Sequence, residues 1–280
     1  MGGIEFLKGH GTQNDFVLLP DAAGALELTP ERVAALCDRQ RGLGADGVLR
    51  VVRTSALGDD VPGVTDSDAE WFMDYRNADG SAAEMCGNGV RVFARHLVET
   101  GLEERREFAV GTRAGDRPVQ VHPDLSVTVA MGPARVTGSS VAVVDGRELS
   151  GVAVDVGNPH LVSTMDDDVG GLDLRESPRF DHDFFPDGVN LEFINTIEPG
   201  ALRMRVYERG VGETRACGTG TVAAVAAALH LSGTDQGSST VDIVGGRVTV
   251  TVDREGSTLT GPAAFVARGE LDPGWWDSIT

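Results

Sequence analysis

The sequence predicts an α+β protein of two similar domains, each a mixed or antiparallel barrel-like sheet around a central helix. Three observations lead there. Cys-Gly-x-Gly occurs twice, at Cys86-Gly87-Asn88-Gly89 and Cys217-Gly218-Thr219-Gly220, and each copy opens a run that reads as a helix. The surroundings also repeat: strand, polar Asn/His loop, strands, cysteine motif, helix, strands. Tyr75 precedes Cys86 by 11 residues (86 − 75), and Tyr207 precedes Cys217 by 10 (217 − 207). Finally, the β runs are joined by short turns rather than crossover helices, which favours antiparallel or mixed pairing. An internal duplication follows, with one domain over residues 1–135 and the other over 136–280. The boundary falls within 131–150, and the C-terminal segment is free to pack back on the first domain.

In the first half, Ile4–Leu7 and Phe16–Leu19 read as strands flanking a polar loop, His10–Asp15. Thr29-Pro30-Glu31 is a helix start, with a capping threonine and proline at the first helical position. Val33, Leu36 and Cys37 give that helix one apolar face, and Gly42 and Gly44 end it. Val48–Val52 and Trp71–Tyr75 read as strands around an acidic, irregular surface loop at 54–70. Val90–Val98 is a helix with Val90, Phe93, Ala94 and Leu97 on one face. Strands follow near Glu107–Val110, Pro118–Val121 and Ser126–Ala130.

In the second half, Val152–Val156 leads into Gly157-Asn158-Pro159-His160. Asp166–Leu174 is a candidate short helix. Val189–Ile194 is a strand, and Leu202, Met204 and Val206 alternate with arginines in another that ends at Tyr207. Thr221–Leu231 is alanine-rich and apolar all round, the pattern of a buried helix. Val241–Val244 and Arg247–Val252 form a hairpin about Gly245-Gly246.

Composition narrows the function. The chain has 280 residues and a net charge of −19, which disfavours nucleic acid and anionic membranes as partners, since both call for a basic patch. Lys8 is the only lysine. A pyridoxal Schiff base needs a lysine, and Lys8 lies in a strand-like run with no motif around it. Three cysteines, an odd number, do not form a disulfide framework. No signal peptide or membrane-length apolar run is evident, so a reduced, cytoplasmic setting is expected.

The chemistry centres on the two thiols. A cysteine at a helix N-terminus feels the positive end of the helix dipole, which favours its thiolate. The glycines that follow permit close backbone approach and leave N–H groups free to bind a carboxylate. A single buried cysteine is usually a small hydrophobe, and Cys37, on an apolar helix face, is assigned that role. Repetition of the motif argues otherwise for Cys86 and Cys217. A nucleotide loop is disfavoured because the third glycine and any Gly-Lys-Ser/Thr are missing. Zinc is disfavoured by the absence of paired-ligand spacing. His160 and Glu208 lie at strand ends where they could tune the thiols. Asn14, Asn77, Asn88, Asn158 and Asn190 recur in loops of one kind and suit a zwitterion held by neutral hydrogen bonds. Arg209 could pair with a carboxylate in bidentate fashion.

Five runs then carry a family resemblance: His10-Gly11-Thr12-Gln13-Asn14-Asp15-Phe16; Asn77-Ala78-Asp79-Gly80-Ser81; Met85-Cys86-Gly87-Asn88-Gly89-Val90-Arg91; Gly157-Asn158-Pro159-His160; and Tyr207-Glu208-Arg209-Gly210 with Ala216-Cys217-Gly218-Thr219-Gly220. In that order, across nearly the whole chain, they resemble the diaminopimelate epimerases. The resemblance implies a cofactor-independent isomerase that interconverts LL- and meso-diaminopimelate, on the route to lysine and bacterial peptidoglycan. It implies Cys86 and Cys217 as the acid/base pair, with His160 and Glu208 adjusting them. It implies Asn14, Asn77, Gly87, Asn88, Asn158, Asn190, Glu208, Arg209, Gly218 and Thr219 as substrate contacts in a cleft between the domains. No cofactor or metal is implied, the partner is the small-molecule substrate, and a homodimer is compatible with the family. Gln13 departs from the small residue common there, and the 54–70 loop is longer than usual. The rival readings are a proline or hydroxyproline racemase of the same fold, a Cys-His thiol hydrolase, and a dithiol redox protein. The racemases usually carry histidine where this chain has Asn88. The hydrolase leaves the second cysteine motif unused, and the redox protein leaves the asparagines unused.

Overall fold

A computed structural model describes residues 3–279. The chain divides into two compact units. One runs to Val129 and takes in the C-terminal segment from Pro262; the other is Ala130–Gly261. The division thus comes a few residues before the expected 135, and residues from 262 onward group with the first unit rather than the second. The cause is the last strand, Ala264–Leu271, which pairs antiparallel with β1 (Ile4–Gly11) from Leu271 opposite Ile4 to Ala264 opposite His10.

In the first unit β1 turns directly into β2 (Asn14–Pro20). The expected loop at His10–Asp15 is therefore a two-residue hairpin turn, with Thr12 at φ +51° and Gln13 at φ +64°. Positive φ at both central residues matches the twist of the flanking strands. For a β-branched residue such as Thr12 that conformation is strained. Helix α1 (Pro30–Cys37) starts as expected, with the Thr29 hydroxyl accepting from the Arg32 N–H. Its apolar face joins a core of Val17, Leu19, Val33, Leu36 and Val48. Cys37 is buried in the same core, and burial pushes its thiol up to about 11. Strand β3 (Gly47–Arg53) lies parallel to β2 and antiparallel to β4 (Trp71–Asn77). The intervening 54–70 segment is irregular but anchored, since Leu57, Val61 and Val64 pack on Val52 and Phe72.

Helix α2 (Gly87–Glu99) follows the first cysteine motif. The meander β5 (Glu107–Val110), β6 (Arg117–Val121), β7 (Val127–Gly132) comes next. α2 packs against β1 to β4 and β6, so strands wrap it, and Val90, Val92, Phe93, Ala94 and Leu97 are all buried.

In the second unit, β8 (Arg135–Val144), β9 (Arg147–Asp155) and β10 (Pro159–Thr164) form an antiparallel run. The short β11 (Arg179–Phe180) pairs with β8 at the sheet edge. No α-helix forms at 166–174. A single 3₁₀ turn at Val169–Gly171 stands there, capped by Asp168, because Gly170-Gly171 is a poor helix sequence. Strand β12 (Asn190–Glu198) lies parallel to β10 and antiparallel to β13 (Ala201–Glu208). The short β14 (Gly212–Thr214) folds back on β13. Helix α3 (Gly218–Leu231) follows the second cysteine motif, and β15 (Gly237–Ile243), β16 (Gly246–Val252) and β17 (Ser257–Gly261) complete the sheet. α3 touches strands from β8 to β17, and its residues from Gly220 to Ala227 are buried. Alanine at four of those positions lets the strands approach it on every side. The expected α+β class, a sheet around one helix in each half, is what forms. Among the described residues no helix is long and apolar enough to cross a membrane.

Candidate active site

The two cysteine motifs start their helices alike. Cys86 is the residue before α2, at φ −143° and ψ 114°, and Cys217 precedes α3 at φ −123° and ψ 114°. Each carbonyl accepts the first helical bond, from Val90 N–H at 2.9 Å and Thr221 N–H at 3.0 Å. Each thiol therefore sits at the positive end of a buried helix. Gly220 has a steric reason to be glycine. A Cβ there would meet the Glu192 Oε1 at 2.5 Å and the Cys217 sulfur at 3.3 Å.

Around Cys86 the structure gathers Asn14, Asn88 and the Thr12 hydroxyl. The Cys86 thiol donates to Asn14 Oδ1 at 3.5 Å, and Asn88 Nδ2 donates to the same oxygen at 3.2 Å. The Asn14 amide is held in that orientation from behind, because its Nδ2 donates to Asp46 Oδ2 at 2.7 Å. Asp46 is in turn bound by Arg39, which also pairs with Asp15. Lys8 pairs with Asp15 at 2.5 Å and donates to the Gly44 carbonyl, so the single lysine is tied into the hairpin's own ion pairs. Arg39 and Lys8 hold the Asp15 carboxyl down to about 2 against the opposing effect of burial, the largest single influence on it.

Arg91 completes this neighbourhood. It is fully buried on α2, and its guanidinium donates to Thr12 Oγ1 at 3.0 Å, to the Gly87 carbonyl at 3.4 Å and to the Pro262 carbonyl at 3.3 Å. Burial lowers it to about 10, and the charge of Cys86 works the other way. The segment leading to Cys86 is fixed by Arg113, which donates to the Tyr75 and Ala83 carbonyls and pairs with the buried Asp74 at 2.5 Å. Asn77 stands at the end of β4, its amide donating to the Ser81 hydroxyl at 3.0 Å.

Around Cys217 the structure gathers a different set. His160 Nδ1 lies 2.7 Å from Glu192 Oε1, and His160 Nε2 lies 3.0 Å from Asn158 Oδ1. Both His160 and Glu192 are 0 % exposed. Glu208 accepts from the Thr214 hydroxyl and from the Cys217 thiol, and burial, then the charge of Glu192, raise its carboxyl above the usual range. Cys217 itself is pushed well above the ordinary thiol value by burial, then by the charges of Glu208 and Glu192. Thr219 Oγ1 lies 3.6 Å from the Cys217 sulfur, and Gly218 beside it is half-buried. Asn190 is committed to backbone: its oxygen accepts from Arg209 N–H at 2.9 Å, and its nitrogen donates to the Pro159 carbonyl at 3.3 Å. It shapes the loops that carry Asn158 and Arg209. The Arg209 guanidinium is exposed and donates to the Asp187 carbonyl at 2.9 Å.

Sequence reasoning missed Asp46, Glu192 and the placement of Arg91. Each had a weak signal. Asp46 closes the glycine-rich Gly42-Leu43-Gly44-Ala45 run, Arg91 follows the first cysteine motif by two residues, and Glu192 is a charge between the apolar Leu191 and Phe193.

The repeated sheet-and-helix fold that carries these two sites is also seen in solved structures of low sequence identity. A phenazine biosynthesis protein of the PhzF family from Bacillus anthracis superposes with a TM-score of 0.68 at 20% identity, covering 97% of this chain and 99% of that one. A probable proline racemase from Agrobacterium radiobacter gives 0.64 at 18%, covering 96% and 93%. These likenesses establish the fold alone. The family comes from sequence. The model of the diaminopimelate epimerase family matches residues 6–137 and 152–266. Diaminopimelate epimerase from Rhodococcus erythropolis is 56% identical over the whole of both chains. That from Mycolicibacterium smegmatis is 57% identical, covering 98% of this chain and 99% of its own. That from Mycobacterium tuberculosis is 55% identical over the same shares. The chain belongs to the diaminopimelate epimerase family.

Proposed function

We propose that this chain epimerises diaminopimelate between its LL and meso forms without a cofactor, using Cys86 and Cys217 as the two acid/base groups. The supporting observation is the pair of cysteines that cap buried helices with the same backbone geometry, in a chain of this family. A thiolate removes the α-proton, and the electron pair left on carbon delocalises into the α-carboxylate. The other thiol delivers its proton to the opposite face. One sulfur has gained a proton and the other has lost one, so the product form is matched to the reverse reaction. Helix N-termini at Gly87-Asn88 and Gly218-Thr219 supply N–H donors for the carboxylate on which charge develops. Asn14, Asn77, Asn158, Asn190, Glu208 and Arg209 hold or shape the contacts to the substrate's two amino-acid ends, and His160 with Glu208 adjusts Cys217.

The test is LL-diaminopimelate in deuterated water under reducing conditions. Conversion to the meso form with one deuterium at the inverted α-carbon is expected. Exchange with proline and none with diaminopimelate would overturn the assignment.

A further inference from the structure

We propose that Glu192 is a positioning residue that, through His160, locks the amide of Asn158 so that its amino end faces outward as a hydrogen-bond donor for a substrate carboxylate. This rests on the reading of Asn158 as a substrate contact. Glu192 is fully buried, and its Oε2 has no hydrogen-bond partner among the described residues, so its charge is compensated by His160 at Oε1. A buried carboxylate without a paired cation is costly. Carboxylate oxygen faces Nδ1 and amide oxygen faces Nε2, so both ring nitrogens must donate. That is the imidazolium. A neutral ring with its proton on Nδ1 would make Nε2 an acceptor. Asn158 would then turn its amino group inward and present its oxygen, the wrong end for a carboxylate.

The parallel pairing of β10 with β12 places these groups, since His160 stands opposite Asn190 and Glu192 lies two residues further on. The other groups facing the pair are Glu208 from β13 and Cys217 before α3. Glycine at 220 is what lets the first turn of α3 pass the Glu192 carboxylate.

The experiment is nitrogen-15 NMR of the His160 ring in the substrate-free protein at assay pH, assigned by the spectrum of His160→Gln. Two ring protons are expected in the wild type and one in Glu192→Gln. In parallel, Glu192→Gln should raise the KM for diaminopimelate about tenfold with a smaller change in kcat, as the loss of one charge-assisted contact implies. A singly protonated His160 in the wild type would overturn the proposal, even if the variant does not fold. So would a variant with unchanged ring signals and unchanged KM. The spectrum needs no substrate. A doubly protonated His160 in a protein inert to diaminopimelate would defeat the proposed function and leave the positioning role standing.

Discussion

The starts of α2 and α3 share a sequence motif and a backbone, yet their charges are opposite. Beside Cys86 the nearest full charge from the helix itself is Arg91, a buried guanidinium held by a hydroxyl and two carbonyls. Beside Cys217 stand two carboxylates, Glu208 and Glu192, and only one of them is compensated by His160. The motif places a thiol at a helix N-terminus; the side chains that flank it decide which protonation state is favoured. One contact at Cys86 works against the thiolate, the S–H donated to Asn14 at 3.5 Å. A thiol is a weak hydrogen-bond donor. The duplicated fold thus sets one thiol near a buried cation and the other near two carboxylates.

Four experiments probe the two helix starts, beginning with the largest expected effect. Cys86→Ala and Cys217→Ala should each cost at least about 10³-fold in epimerisation. Near-normal turnover by either would mean that the two helix starts do not act as a pair. Arg91→Met should lower kcat/KM about 10²-fold, while Arg91→Lys, which keeps the charge, should recover most of it. Equal rates for the methionine variant and the wild type would remove Arg91 from the comparison. Glu208→Gln should reduce turnover about tenfold and shift alkylation of Cys217 to lower pH, because a negative charge that opposes the thiolate is gone. A shift to higher pH would contradict the assigned sign.

The smallest effect concerns the far ends of the helices. His96, in the last turn of α2, is buried with neither ring nitrogen hydrogen-bonded among the described residues, whereas His230, in the last turn of α3, is exposed. Burial, then the charge of Arg268, lower His96 to about 4. The unfolded chain therefore binds a proton that the folded chain does not. Stability is full above about 6.5 and is lost as pH falls from there toward 4. Between pH 7 and 5.5 this loss is about 1 kcal/mol. Denaturant melts of the wild type and His96→Leu should show it in the first only.

Much of this was legible in the chain. Periodicity placed α2 and α3, and Thr29-Pro30 placed the start of α1. The doubled cysteine motif gave the duplication and both thiols. The hairpin at Thr12-Gln13 was read as a longer loop because two non-glycine residues with positive φ leave no signature. Strand β8 was missed because most of its residues are exposed and its strand is held by pairing with β9 rather than by alternation. The same limit hid Asp46 and Glu192. A sequence displays their charge but not the neighbour 32 positions away that gives each its own task, Asn14 for Asp46 (46 − 14) and His160 for Glu192 (192 − 160).

The difference between the two thiols is open to direct measurement. Alkylate the protein with iodoacetamide across pH 6 to 10 and follow Cys86 and Cys217 separately by mass spectrometry, reading the pH midpoint so that unequal exposure cancels. A midpoint for Cys86 below that for Cys217, moved upward by Arg91→Met, is the predicted result. Coincident midpoints, or Cys217 reacting at the lower pH, would contradict the account.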